Sequence, residues 1–278
     1  MEFTVAVVGV GCYAAAAALA VASLFQARSK GERTVQAFMA AGAVMLCGVL
    51  VFRGVHAASI PALNRFEALT CHVLTLTAAY FLLMATRPAR GLTGILAPYA
   101  SLLLLCGLPA FSADAGAPPP LQDAWLAVHI TLAFAAYALL SLASVLAAAY
   151  LVQDSNLKNK RFGAVWERLP ALETLDHLMG RQLGLGFLLL TGSILLGITL
   201  VHRSGGGEEW LTDPKVGAAA VTWILFAVLV HMRASTGRHG RGMAVVTIAG
   251  MACLLFTFIG VHVLADSVHG FVRILPAY

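Results

Sequence analysis

An all-α protein that crosses a membrane about eight times is the fold class this sequence predicts, on three observations. Of its 278 residues, 60% are hydrophobic and only 11% are charged, a balance typical of integral membrane proteins and not of soluble domains. The apolar residues gather in eight runs, each close to the roughly 20 residues that a helix needs to cross the hydrocarbon layer. The charged residues collect between those runs, so the net charge of +5 bears on orientation in a bilayer and implies no nucleic-acid partner.

The first run, Glu2 to Phe25, lacks a basic leader and a small-residue cleavage site and reads as a retained helix. Thr34 to Ala57, Phe66 to Thr86 and Leu92 to Phe111 follow as spans two to four. Ser112 to Pro120, closing on Pro118-Pro119-Pro120, is a stiff connector to span five, Leu121 to Gln153. The stretch from Ser155 to Gln182 is too polar to span. Its Leu172, Leu175, Leu178 and Met179 recur at a helical period, which predicts an amphipathic helix on the membrane surface. Spans six to eight are Leu183 to His202, Lys215 to Met232 and Met243 to Ala265, with a polar loop at about 203–215 between the first two. No internal repeat or second domain interrupts the pattern, so residues 1–278 read as one transmembrane unit.

The basic residues set the orientation. Of the 18 Lys and Arg residues, thirteen follow spans one, three, five and seven: Arg28, Lys30, Arg33, Arg87, Arg90, Lys158, Lys160, Arg161, Arg168, Arg181, Arg233, Arg238 and Arg241. The opposite side holds Arg65, Arg203, Lys215 and Arg273, and Arg53 lies within span two. The positive-inside rule then places both termini and the 203–215 loop on the non-cytoplasmic side of a bacterial inner membrane, and the amphipathic segment on the cytoplasmic side. Cys12, Cys47, Cys71, Cys106 and Cys253 lie inside apolar runs with no C-x-x-C or C-x-x-C-H spacing. They read as inert buried thiols, not as a redox pair or a covalent haem attachment site.

With that orientation six of the nine histidines sort to the outer side: His56, His72, His129, His202, His262 and His269. His231 ends span seven on the inner side, and His177 and His239 lie in inner loops. Hydrogen bonding to backbone or headgroups is the ordinary role of any one interfacial histidine. Six together, beside tryptophans, point to a large flat ligand, because neutral imidazole is an axial ligand of haem iron and aromatic rings suit a porphyrin face. No two histidines stand at i, i+4 on one helix and acidic co-ligands are scarce, which argues against zinc. In the loop, Asp213-Pro214 reads as an N-cap followed by proline at the first helical position of span seven. Trp210 lies outside that helix and Trp223 about two and a half turns inside it. Arg53 reads either as a counter-charge for a haem propionate or as a side chain reaching for the outer interface, and Glu67 as its partner or that of Arg65. Lys215 and Arg273 are the better propionate candidates.

The order of several motifs resembles the cytochrome c assembly family of haem-handling membrane proteins, the CcsA/HemX group. They are P-A-L-N-R-F-E-A-L from Pro61, W-L-A-V-H-I-T-L-A-F from Trp125, L-K-N-K-R-F from Leu157, W-L-T-D-P-K from Trp210, T-W from Thr222, L-V-H-M-R from Leu229 and F-I-G-V-H-V-L-A-D-S-V-H-G-F from Phe258. The resemblance implies that His129 and His269 flank the tryptophan loop as axial ligands of an outer haem b, bound non-covalently, and that His231 serves an inner haem. His262 stands where the family more often has asparagine and is not counted as a primary ligand. It implies further that haem is presented to apocytochrome c together with a partner subunit bearing a large outer domain. Attachment by this chain alone is not expected.

The loop departs from the family's W-x-W-D-P-K-E pattern. Thr212 replaces the second tryptophan, Val216 the glutamate and Ala218 a further tryptophan. The eight residues from Trp223 to His231 span roughly 12 Å, so His231 is out of reach of a porphyrin held by His129 and His269. Either an inner haem on His231 takes a ligand from another chain or a non-histidine ligand such as a methionine, or there is no inner haem. Two other functions remain open: a HemX-type regulator of tetrapyrrole synthesis that acts on glutamyl-tRNA reductase levels, and a transporter or structural membrane protein without haem.

Overall fold

A computed structural model of the chain describes residues 1–24, 31–57, 64–87, 89–111, 124–203 and 211–260. Trp210, His262, His269 and Arg273 lie outside the described residues, as does the proline connector at 112–120. Within them the chain forms nine α-helices and no strand: α1 Glu2–Leu24, α2 Gly31–Ala57, α3 Arg65–Thr86, α4 Thr93–Gly107, α5 Ala124–Lys158, α6 Ala164–Arg168, α7 Leu172–Arg203, α8 Pro214–Thr236 and α9 Arg241–Leu255. All except the short α6 are long and apolar enough to cross a membrane, α4 and α9 when counted with the turns that extend them to Ala110 and Gly260, one for each span expected from sequence. Below, the first face is the end of the bundle where α1 begins, and the second face is the end where it finishes.

Local chemistry accounts for the boundaries. A capping box opens α3, with the Asn64 Oδ1 accepting from the Glu67 amide at 2.8 Å and the Glu67 carboxylate accepting from the Asn64 amide. Asp213 caps α8 and Pro214 occupies its first turn, as the D-P pair predicts. At the other end of α8, Gly237 adopts the left-handed conformation (φ 58°, ψ 25°) that commonly closes helices. The last span differs from its expected form. Its α-helix stops at Leu255 and a π-helical turn, Phe256–Gly260, follows it; the expected end at Ala265 lies outside the described residues.

Helix α5 is the axis of the bundle, packed against α3, α4, α7 and α9. In the most hydrophobic window of α5, 61% of residues are buried, against 17% for α7 and for α8, which therefore lie at the rim. Helices α1 and α2 cross closely because Gly9 meets Gly42: a Cβ on Gly42 would stand 2.9 Å from the Gly9 carbonyl oxygen. Two buried side-chain bonds tie this pair to α3, Tyr13 to Thr77 at 2.7 Å and Gln36 to Tyr80 at 2.8 Å. With no water in the hydrocarbon to compete, such bonds fix the relative register of the helices.

At 1.5 Å per residue, α5 and α7 are roughly 52 and 48 Å long, well beyond the ~30 Å hydrocarbon layer. The stretch expected as one amphipathic surface helix over 155–182 is built otherwise. Its start completes α5, its middle holds α6, and Leu172 onward is the beginning of α7. The periodic Leu175, Leu178 and Met179 are buried inside the bundle. They give the same helical period that a membrane-surface helix would, which is why the pattern could not separate the two placements.

Candidate functional site

His129 sits one turn past Trp125 at the first-face end of α5, and α7 builds its seat. Its Nδ1 lies 2.8 Å from the Ser193 carbonyl oxygen, and the Ser193 hydroxyl in turn donates to the His129 carbonyl at 3.3 Å. A carbonyl only accepts, so Nδ1 carries the proton and, in the neutral ring, Nε2 carries the lone pair. One turn on, Gly197 makes room: a Cβ there would stand 3.0 Å from the His129 Cε1. An imidazole anchored through Nδ1 to a backbone carbonyl, with Nε2 as the basic nitrogen, is the arrangement that metal-ligating histidines adopt. The residues present thus fit an axial haem ligand at His129. Its expected counterpart, His269, and the indole of Trp210 lie outside the described residues.

The start of α8 lies on the same face. Asp213 is 5% exposed, and its Oδ1 accepts from the Lys215 amide at 2.7 Å. The carboxylate thereby satisfies one of the unpaired amides of the first helical turn. Lys215 is half-buried beside it. The Arg203 guanidinium lies 5.8 Å from the centre of the Trp125 ring, adding a cation over an aromatic surface next to His129.

Trp223 is held elsewhere. Its Nε1 donates to the Thr191 hydroxyl at 3.0 Å and its ring stacks on Phe187, with centroids 5.6 Å apart. Thr191 and Ser193 are two residues apart, about 200° around the helix. The Trp223 and His129 contacts therefore fall on nearly opposite sides of α7. His231 is exposed on α8, in line with Val221, Ile224 and Val228, which are 61%, 56% and 51% exposed. Phe226 and Leu229 face the core instead, so His231 points out of the bundle near the second face.

The remaining expected residues have local partners. Arg53 bonds Glu67 at 2.8 Å and Glu2 at 3.1 Å and lies 4.2 Å over the Phe111 ring, so its charge is met within the bundle. Of the partners expected for Glu67, Arg53 is an observed one. His56 stacks on Phe52 with centroids 3.9 Å apart and bonds its carbonyl. His72 is wholly buried among α3, α5 and α9, bonded to Ser141.

One cluster had no role expected from sequence. On the second face, Asp176 accepts from Arg233 at 2.7 Å, from His239 at 2.8 Å and from the Gly240 amide at 3.1 Å. Gly180 allows this, because a Cβ there would collide with the Arg233 guanidinium. Asp154 likewise takes Lys158 at 2.9 Å and Arg241 at 3.0 Å. Beside these pairs a cleft of about 890 Å³ opens, lined by Arg87, Tyr150, Glu173, His177 and His239 among others. Its residues come from α3, α5, α7 and the α8–α9 turn, a grouping that no spacing along the chain encodes.

Eight apolar spanning helices, with polar and aromatic groups concentrated at the two ends, define a multi-pass helical membrane protein. The family model described as cytochrome c assembly protein matches residues 60–269, and the chain belongs to that family. It is 28% identical to the cytochrome c biogenesis protein CcsA of Prochlorococcus marinus, covering 85% of this chain and 83% of that one. The protein of the same name from Synechococcus sp. (strain CC9311) is 29% identical over 95% of this chain and 97% of its own. That of Mesostigma viride is 31% identical over 55% and 56%. The resemblance read from the sequence motifs is thereby established at the level of the family, and the chain is a cytochrome c assembly membrane protein.

Proposed function

We propose that this protein holds haem b non-covalently at its first face, through His129 and His269, for cytochrome c biogenesis. The observation that supports the reading is the His129 seat, where the Ser193 carbonyl of α7 accepts from Nδ1 and Gly197 makes room for the ring, the orientation that metal-ligating histidines adopt. Bound haem would supply the iron porphyrin destined for apocytochrome c. The chain's own part is to orient His129, to start α8 cleanly at Asp213, three residues after Trp210 in the sequence, and to offer Lys215 as a cation for a propionate. The positive-inside distribution supports a first face on the non-cytoplasmic side of a bacterial inner membrane.

His231 has a different requirement. It faces away from the bundle, so an inner haem on it takes its second ligand from another chain, which fits an assembly partner subunit. The HemX-type reading, regulation through glutamyl-tRNA reductase, is favoured by the second-face cleft and by the thinned tryptophan loop with Thr212, Val216 and Ala218.

Purification from haem-replete cells followed by absorption spectroscopy tests the main reading. Wild type and His177→Ala are expected to carry a low-spin haem signal, and His129→Ala and His269→Ala to lose it. A wild-type protein without a chromophore overturns the reading and leaves the regulator, transporter or structural alternatives.

A further inference from the structure

The second-face cleft gathers side chains that the bundle does not use. Arg87, the residue that closes α3, lines it together with Tyr150, Thr174 and His177. Among the described residues none of these four side chains makes a hydrogen bond or an ion pair. The aspartate beside them is already satisfied. Asp176 accepts from the Arg233 guanidinium at 2.7 and 3.3 Å, from the His239 Nδ1 at 2.8 Å and from the Gly240 amide at 3.1 Å. Glycine suits position 240 because its φ is +87° and a Cβ there would stand 3.3 Å from the Tyr150 hydroxyl. A guanidinium, an imidazole and two hydroxyls thus surround open space, with the unpaired Glu173 carboxylate as the one acid among them.

The depth of the cleft and the charge around it narrow what can fill it. Helices α3 and α8 have 22 and 23 residues and cover roughly 33 and 34 Å, close to the ~30 Å hydrocarbon layer. Arg87 closes the first and Arg233 lies in the last turn of the second, so the cleft opens at headgroup depth. By sequence position this face carries thirteen basic residues against five acidic ones, Glu32, Asp154, Glu167, Glu173 and Asp176. Such a surplus draws anions, and anionic lipids above all at a membrane surface. The start of α7 at Leu172 adds the positive end of a helix dipole to that field. The volume of about 890 Å³ is that of a small-ligand site and admits a headgroup with its glycerol.

We propose that this cleft binds an anionic phosphate group, supplied by the headgroup of an anionic phospholipid. Arg87 pairs with the phosphate oxygens, and His177, Tyr150 and Thr174 donate to them. His239 takes no part, because its Nδ1 serves Asp176. Free phosphate offers the same oxygens and is the rival source. A headgroup held between Arg87 and His177 would link α3 to the rim helix α7. The site lies on the opposite face from His129 and is independent of the haem reading.

The full chain, purified in detergent and stripped of lipid, is titrated with phosphatidylglycerol, with phosphatidylcholine and with inorganic phosphate. Native mass spectrometry follows the lipids and calorimetry the phosphate. Wild type is expected to hold one phosphatidylglycerol about tenfold more tightly than phosphatidylcholine, the margin of one charge-assisted pair, and Arg87→Gln to lose about that factor. Glu173→Gln should gain about threefold, since it removes the opposing charge. Arg161→Gln, on the same face but outside the cleft, should bind as wild type does. Arg87 and Glu173 are exposed and make no side-chain bond, so their variants should melt with wild type; if Arg87→Gln does not fold, Glu173→Gln carries the test. Equal binding of the two lipids, or equal losses in Arg87→Gln and Arg161→Gln, overturns the lipid site. Binding of inorganic phosphate that depends on Arg87, without a preference for phosphatidylglycerol, supports the phosphate site and overturns the lipid as its source. A wild type that takes up neither probe overturns the proposal and leaves the cleft to a protein partner.

Discussion

At the first face a helix pair is joined by a single imidazole resting on a backbone carbonyl, whereas at the second face two carboxylates gather five donors around the turn between α8 and α9. His129 donates from Nδ1 to the Ser193 carbonyl. Asp176 and Asp154 spend their oxygens on Arg233, His239, the Gly240 amide, Lys158 and Arg241. The first face thus anchors one ring through one nitrogen on a backbone carbonyl. A turn projecting beyond the hydrocarbon needs charge-assisted bonds to hold it, since little apolar surface is there to bury.

That contrast can be broken. His129→Ala is expected to have the largest effect on haem, reducing retention at least about tenfold, while circular dichroism stays that of a helical bundle. Asp176→Ala should do the reverse. It strands the largely buried Arg233 guanidinium, so thermal unfolding in detergent should report a loss of about 3 kcal/mol, with the haem spectrum in place. If Asp176→Ala abolishes haem without lowering the melting temperature, the division of labour between the faces is wrong.

Smaller changes sharpen the comparison. Trp223→Phe removes the bond to Thr191 and should cost about 1 kcal/mol, with haem absorption unaltered because the ring docks on the other side of α7 from His129. A spectral shift in that variant would place Trp223 in contact with the porphyrin. Arg241→Ala should cost less than about 1 kcal/mol, and the loss should shrink in high salt, because the Arg241 side chain is 59% exposed and such pairs are screened.

The eight spans were legible because a run of apolar residues of membrane length has few other folds open to it. The start of α8 was legible for a local reason: Asp213 and Pro214 act on amides within one turn of themselves. The segment over 155–182 was misplaced because the period of Leu175, Leu178 and Met179 reports one apolar face and does not say whether lipid or protein covers it. The π-turn at Phe256–Gly260 had no signal at all. It bonds Thr222 of α8 and packs against His72 of α3, contacts that its own sequence does not reveal.

The candidate site divides along the same line. The histidines and the tryptophan loop were found by order and resemblance, and the family match confirms the resemblance. Which nitrogen of His129 bonds the Ser193 carbonyl, which way His231 faces, and on which side of α7 Trp223 rests were decided only when helices met.

Composition and hydropathy fixed the class of this protein and the number of its crossings, since transfer of each segment into lipid is a property of that segment alone. Partner choice was left to the tertiary structure. Whether Arg53 meets a propionate or Glu67, or a buried histidine meets serine or iron, depends on distances between helices, and no pattern along one chain contains them.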